Sequence, residues 1–334
     1  MAEPVVSVCM ITYNHAPFIA KSIEGVLQQR SEYPFELVIG EDCSTDGTRE
    51  IVERYQRLHP DVIRVITSEK NVGSLKNAVR ARKACRGKYI AFCEGDDYWH
   101  HPEKLQKQVA YMENHPECGL VCSNYDVNNI RLNKLTRDFV TYKKWRIPEQ
   151  IDPSYFTAEE VSSVILTCTV LFRRELYERI VEADPYLHES DKFMMGDIQV
   201  WAEMSAASRI TYIPESLVTY HVTEESATRS RNVTNQLRFS ISMSELNIYL
   251  CDKYNMPESL RNMHEDYWCE SALRLAMHQR NRSLADEAKR RKRSLDYKDW
   301  IRYYGAKHNA IYRICMLAAF VKSKLTPRKK KWYE

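Results

Sequence analysis

Four short apolar runs, each separated from the next by helical periodicity, occupy the first third of the chain and leave few folds open. They are "VVSVCMITY" (residues 5–13), "FELVIG" (35–40), "VIRVIT" (62–67) and "KYIAFC" (88–93). Between the first two, Phe18, Ile19, Ile23, Val26 and Leu27 recur at helical spacing; Ile51, Val52 and Tyr55 do so after the second. Strands that are apolar on both faces and alternate with helices predict an α/β fold, a Rossmann-like and mainly parallel sheet covered on both sides. Right-handed crossovers bring the C-terminal ends of such strands to one edge, where these sheets bind ligands.

Polar residues collect at that edge. Thr12, Tyr13 and Asn14 end the first strand, Glu41 and Asp42 the second, and "CEGDDYWHHP" places Glu94, Asp96 and Asp97 at the end of the fourth. Carboxylates this close repel unless water or a cation separates them. A helix N-cap ahead of Pro102 accounts for one acid, not three. Hard oxygen donors with open positions suit Mg²⁺ or Mn²⁺ shared with a ligand's phosphates. Nine glycines without a G-x-G leave no dinucleotide fingerprint and no P-loop, so a phosphorylated ligand here needs another source of positive charge. Zinc held by His100 and His101 fits less well, because adjacent side chains diverge.

Downstream, residues 128–152 are polar and aromatic and read as loops over the sheet edge. Residues 162–174 read as a strand, 193–206 as a helix and 210–222 as a strand and turn. Helical patterns follow at 237–250, 260–277, 284–295 and 300–325, dividing the chain into residues 1–228 and a helical extension, 229–334. From Arg280 onward, 17 Lys/Arg stand against 5 Asp/Glu, while the remainder carries 32 against 40. A basic amphipathic end with Trp332 and Tyr333 predicts contact with an anionic membrane surface. No apolar run is long enough to span a bilayer, and "MAEPVVSVCM" lacks the positive n-region of a secretory signal. Ten irregularly spaced cysteines without a C-x-x-C predict reduced thiols. Together these predict a cytoplasmic chain, peripheral on the inner face of the plasma membrane.

"VSVCMITYNHAPFIAKSIEGVLQQ", "FELVIGEDCSTDGTREIV", "EKNVG" and "GKYIAFCEGDDYWHHPEKLQKQV" together resemble the GT-A fold glycosyltransferases, in particular the large inverting second family that builds bacterial cell-surface polysaccharides. The match is dense over residues 5–125 and thins toward residue 228. The resemblance implies a nucleotide-sugar donor, a UDP-sugar first, and a glycan or lipid-linked saccharide acceptor. It implies that Thr12 and Tyr13 line the base with Asn14 among the donor contacts, that Asp42 bonds the base ring with Glu41 beside it, and that Asn71, Gly73 and Lys76 lie near ribose and diphosphate. "EGDD" stands where the family has an Asp-x-Asp-Asp run: Asp96 would meet ribose and metal, Asp97 the metal, and Glu94 replaces the usual first Asp. Asp197 in "GDIQVW" would be the catalytic base, although Gly196 replaces the usual Glu and the same aspartate reads as an N-cap. His221 in "YHVTEES" would be a further metal or phosphate contact.

Such residues can displace a nucleoside diphosphate at an anomeric carbon, with a carboxylate taking the acceptor's proton. Transfer to polyprenyl phosphate is an alternative, for which "YKKWR" in the 140s would supply cations. A nucleic-acid-binding role for the basic end lacks any stacking motif, so no nucleic acid is expected as partner. A non-catalytic sugar-binding protein would be expected to have lost acids among Asp42, Asp96, Asp97 and Asp197, and all four are present.

Overall fold

The structure is a computed structural model and describes residues 3–158, 164–190, 192–223, 232–292, 294–314 and 317. Strands β1 (Val6–Thr12), β2 (Phe35–Glu41), β3 (Ile63–Ile66) and β4 (Tyr89–Phe92) run parallel in the order β3-β2-β1-β4. Helices α1 (Ile19–Leu27), α2 (Thr48–Leu58) and α3 (Ser74–Lys83) join them. Val6, Val8 and Met10 of β1, with Leu37, Val38 and Ile39 of β2, are completely buried, as strands covered on both faces require. Buried Glu36 ties the open end of this sheet together. It accepts from Ser7 at 2.7 Å and pairs with Arg64 at 2.9 Å and Arg86 at 2.8 Å. Burial alone would raise its carboxyl, but bonds from Arg86, Ser7 and Arg64 prevail and hold it below the usual range.

The chain continues through β5 (Tyr98–Trp99), α4 (Lys104–Asn114), β6 (Cys118–Asn129), β7 (Lys134–Thr136), α5 (Phe139–Tyr142), β8 (Leu171–Arg173), α6 (Arg174–Ala183), α7 (Pro185–Glu189), α8 (Ile198–Ala207) and β9 (Arg209–Val222). The sheet extends from β4 as β8-β6-β9-β5, with β7 on β6. β8 is antiparallel to both neighbours and β5 to β9, whereas the long β6–β9 pair is parallel. Parallel pairing therefore accounts for most of the paired length among the described residues.

Three expectations change. Strand β6 has no counterpart in the sequence reading: its polar residues Ser123, Asn124 and Asp126 are buried, not solvent-facing. Ser123 Oγ donates to the Asn124 carbonyl at 2.9 Å, and the following segment bonds the other two: Asn124 Oδ1 accepts from Val140 N at 3.1 Å and Asp126 Oδ1 from Asp138 N at 2.9 Å. The stretch expected to be loop from residue 128 thus contains the end of β6, then β7 and α5. The strand expected over 162–174 is shortened to β8 behind a 3-10 turn at Thr167–Thr169, and residues 162 and 163 lie outside the described residues. The helix expected from residue 193 begins at Ile198, because Asp197 caps it.

The chain divides into two compact units, Met1–Glu189 with Gly196–Thr223, and Ser190–Met195 with Glu224–Glu334. The second contains α9 (Val233–Lys253), α10 (Glu258–Gln279), α11 (Arg282–Arg291) and α12 (Tyr297–Lys307). Trp268 and Leu273 pack there among Cys269, Ala272, Ala276, Ala285, Ala288 and Ala306, small side chains that let helix axes approach. A capping box between Asp296 and Asp299 starts α12. Residues 318–334, with most of the predicted basic tail, lie outside the described residues. Among those described, no helix is long and apolar enough to cross a membrane. The nine described cysteines are free.

Candidate active site at the C-terminal edge of the sheet

Parallel register sets Thr12 beside Glu41 at the ends of β1 and β2. The loop after β1 is stitched to the loop after β2: Asn14, at φ 55°, accepts from Thr45 N at 2.9 Å, and Asp46 accepts from Ala16 N and Thr48 N at 3.0 Å each. Asp46 is thus a turn and helix-start residue. Glu41 and Asp42 do different work. Buried Glu41 accepts from Ser44 N and Arg49 Nε at 2.6 Å each, so its carboxylate anchors the turn beneath the site. Asp42 accepts from Val72 N at 2.8 Å and Gly73 N at 2.9 Å, which clamps the Asn71–Gly73 turn against the end of β2. Gly73 sits at φ 89°, a conformation glycine adopts without cost. Tyr13, Asn71 and Lys76 are exposed on the rim.

The four positions Glu94 to Asp97 follow β4. Gly95 is required there, since a Cβ would stand 2.6 Å from Thr12 Oγ1. That Thr12 hydroxyl is buried and has no protein partner. Half-buried Glu94 has one buried oxygen without a partner. Burial pushes its carboxyl up to about 7; the Thr167 hydroxyl opposes this, while the Asp96 and Asp197 carboxylates add to it. Asp97 is buried, and its Oδ1 accepts from His221 N at 2.8 Å. Burial raises Asp97 well above the usual range, Asp96 and Glu94 raise it further, and the His221 N–H and Cys168 thiol work against them. The His221 ring bonds the Asp96 carbonyl through Nδ1 and lies between Phe18 and Tyr98, with centroids 5.4 and 5.3 Å away. Burial holds its imidazole below the usual value, which keeps Nε2 available as a neutral donor atom.

Asp197 heads α8 and accepts from Ile198 N at 2.9 Å. Burial raises its carboxyl against that bond. Its charge acts on Glu94, so residues about a hundred positions apart in sequence share one electrostatic neighbourhood.

A divalent cation fits this edge in one form. Among the described residues no three His, Cys, Asp or Glu side chains converge into a closed cage. Mg²⁺ and Mn²⁺ sites in phosphate chemistry commonly use one or two carboxylates and complete their shell with water and phosphate. Half-buried Asp96 and the unpartnered Glu94 oxygen supply such donors. His100 is occupied with Thr219 and Ser216, and His101 with Glu215, so the zinc arrangement does not form.

Four nearby residues had no sequence signal. Thr167 and Cys168 touch Glu94 and Asp97 from a 3-10 turn. Lys21 of α1 lies 3.6 Å over the Tyr98 ring. Lys104 is wholly buried, bonded to Gln108 at 2.6 Å and 4.2 Å from the Trp99 ring, whose Nε1 donates to the Cys168 carbonyl.

The profile of Glycosyl transferase family 2 matches residues 7–181, over half of the chain and including Thr12, Asp42 and Glu94 to Asp97. The chain belongs to glycosyl transferase family 2. An uncharacterized protein of Mycobacterium tuberculosis is 31% identical over 219 residues, covering 64% of this chain and 58% of the relative, so the chain spans under two thirds of that relative's length. Bacillus subtilis TuaG, whose name assigns it to teichuronic acid biosynthesis as a glycosyltransferase, is 36% identical over 110 residues, 33% of this chain and 42% of TuaG. Mannosyltransferase PcManGT from Pyrobaculum calidifontis, solved with GDP-Man and Mn²⁺, superposes with a TM-score of 0.58 at 17% identity, covering 96% of this chain and 85% of that one. S. aureus TarS 1–349, solved with UDP-GlcNAc, gives 0.55 at 17% identity, covering 90% and 79%. At these identities the likeness establishes that the family 2 chain has the GT-A fold.

Proposed function

We propose that this family 2 chain transfers a sugar from a nucleoside-diphosphate donor, a UDP-sugar first, to a hydroxyl of a glycan or lipid-linked saccharide during cell-surface polysaccharide synthesis. The observation that carries the reading is the gathering of Glu94, Asp96 and Asp97 at the C-terminal end of β4, fastened there by His221 from β9, with Asp197 contributing to the raised Glu94 carboxyl. The bound ligands of TarS and PcManGT and the name of TuaG support the donor class and the pathway class.

In this reading the Asp42-clamped turn and the unpartnered Thr12 hydroxyl receive the nucleoside, with Tyr13 and Asn14 at its rim. Asn71, Gly73 and Lys76 stand along ribose and diphosphate. A divalent cation held by Asp96 and the unpartnered Glu94 oxygen, with Asp97 and His221 Nε2 behind them, would neutralise the departing diphosphate. Asp197 takes the acceptor hydroxyl's proton as that oxygen bonds the anomeric carbon. The bond to the diphosphate oxygen breaks with its electron pair on the leaving group. One displacement from the face opposite the leaving group inverts the centre. The raised Asp197 carboxyl is the better base for a hydroxyl proton.

The second unit supports residence at a membrane surface. Tyr297, Ile301 and Tyr304 share one face of α12 and are 70, 44 and 42% exposed within the cationic end of the chain. The test of function is nucleoside-diphosphate release from UDP-, GDP- and dTDP-sugars with and without Mn²⁺. Metal-stimulated release with one donor, lost in Asp197→Asn, is expected; no release from any donor overturns the reading.

A further inference from the structure

Strand β6 ends beside the site, where Asn128 and Asn129 pair with His221 and Val222. The chain then makes one 3-10 turn, Ile130–Leu132, and returns as β7, with Asn128 opposite Leu135 and Asn129 opposite Lys134. The finger is preformed. Asn129 accepts from Leu132 N at 3.1 Å, and Asn133 takes a left-handed φ of 46° at the tip. Its aliphatic side chains are uncovered: Ile130, Leu132 and Leu135 are 46, 48 and 48% exposed. Single exposed leucines are ordinary, but three within residues 130–135, on the turn and the start of β7, concentrate apolar surface at one tip. Arg131, Lys134 and Arg137 alternate with them along the chain, and no acid stands between Ile130 and Asp138.

We propose that this finger dips into the interfacial layer of an anionic bilayer and holds the acid-lined edge against the surface where a lipid-linked acceptor would lie. The aliphatic carbons enter the acyl boundary, while the flanking cations stay among the lipid phosphates. Charge complementarity selects this occupant. A second copy docked symmetrically would set one cationic finger against another. The turn is already closed by the Asn129–Leu132 bond, so docking adds little ordering cost. The inference rests on the proposed function only for the identity of the acceptor, since docking is measured without sugar.

The test uses the full chain with phosphatidylcholine vesicles prepared with and without phosphatidylglycerol. The combined substitutions Ile130→Ser, Leu132→Ser and Leu135→Ser should weaken partition onto anionic vesicles about tenfold or more, leaving donor hydrolysis in solution unchanged. Unaltered partition, parallel loss of donor hydrolysis, or a dimer abolished by the same substitutions in sedimentation velocity would each overturn the proposal. Leu132→Trp gives an independent readout. Its emission should shift to the blue on anionic vesicles and not on phosphatidylcholine alone; no shift on either also overturns it. Finger-dependent partition in a chain that hydrolyses no donor supports docking and removes only the enzymatic reading.

Discussion

The backbone N–H of His221 donates to Asp97 Oδ1 at 2.8 Å, and the His221 ring bonds back to the carbonyl of Asp96. This reciprocal pair fastens the end of β9 to the turn after β4. It also separates the two aspartates. Asp97 is buried with one oxygen committed to the protein, whereas Asp96 is half-buried and turned less inward.

The two aspartates should therefore fail differently. Asp96→Asn is expected to abolish Mn²⁺-stimulated nucleoside-diphosphate release with little change in thermal midpoint. Asp97→Asn should in addition raise the thermal midpoint of the metal-free chain, because it removes a buried carboxylate whose charge is disfavoured by burial, Asp96 and Glu94 while keeping an acceptor for the His221 N–H. Equal midpoints for the two variants would contradict the division.

Asp197→Asn separates capping from chemistry. Asparagine caps helices as well as aspartate, so α8 and the thermal midpoint should hold. Transfer should fall roughly 10²–10⁴-fold through loss of the base, with donor affinity preserved by calorimetry. An unchanged kcat moves the base elsewhere.

Gly95→Ala forces a methyl toward Thr12 Oγ1 and His15 Nδ1, with a built Cβ 2.6 and 2.9 Å from them. Overpacking of this kind costs about 1–3 kcal/mol. The displaced Thr12 should weaken donor binding as well. Full donor affinity in a folded Gly95→Ala chain would show that the β1 end does not touch the nucleotide.

Lys104 gives a pH signature. Burial pushes its ammonium down to about 7, so between that pH and its unfolded value the unfolded chain holds one proton more. Stability should then rise with pH across that window, by an amount on the order of 5 kcal/mol at most. Lys104→Met, apolar and of similar length, should flatten the slope in denaturant titrations at several pH values. A slope that survives the substitution assigns it to other groups.

The parallel half of the sheet and the edge where acids gather were legible from residue order alone. Continuous apolar runs such as Val6–Thr12 can be stable only between two covering layers, and helical spacing such as Ile19, Ile23 and Val26 has a local geometric cause. The acids after β4 were legible for the same reason, because strand direction fixes the edge they reach. Tertiary structure alone decided which acids are free. Glu41 and Asp42 are adjacent in sequence, yet one anchors a turn to Arg49 and the other clamps the Val72–Gly73 backbone. The buried polar strand β6 escaped notice because its Asn124 and Asp126 take partners from α5 and its lead-in and from β9, far from them in sequence. The bond between Asp97 and His221 closes across 124 positions. Contacts at such separations depend on crossover and register, which leave no periodic trace in the chain.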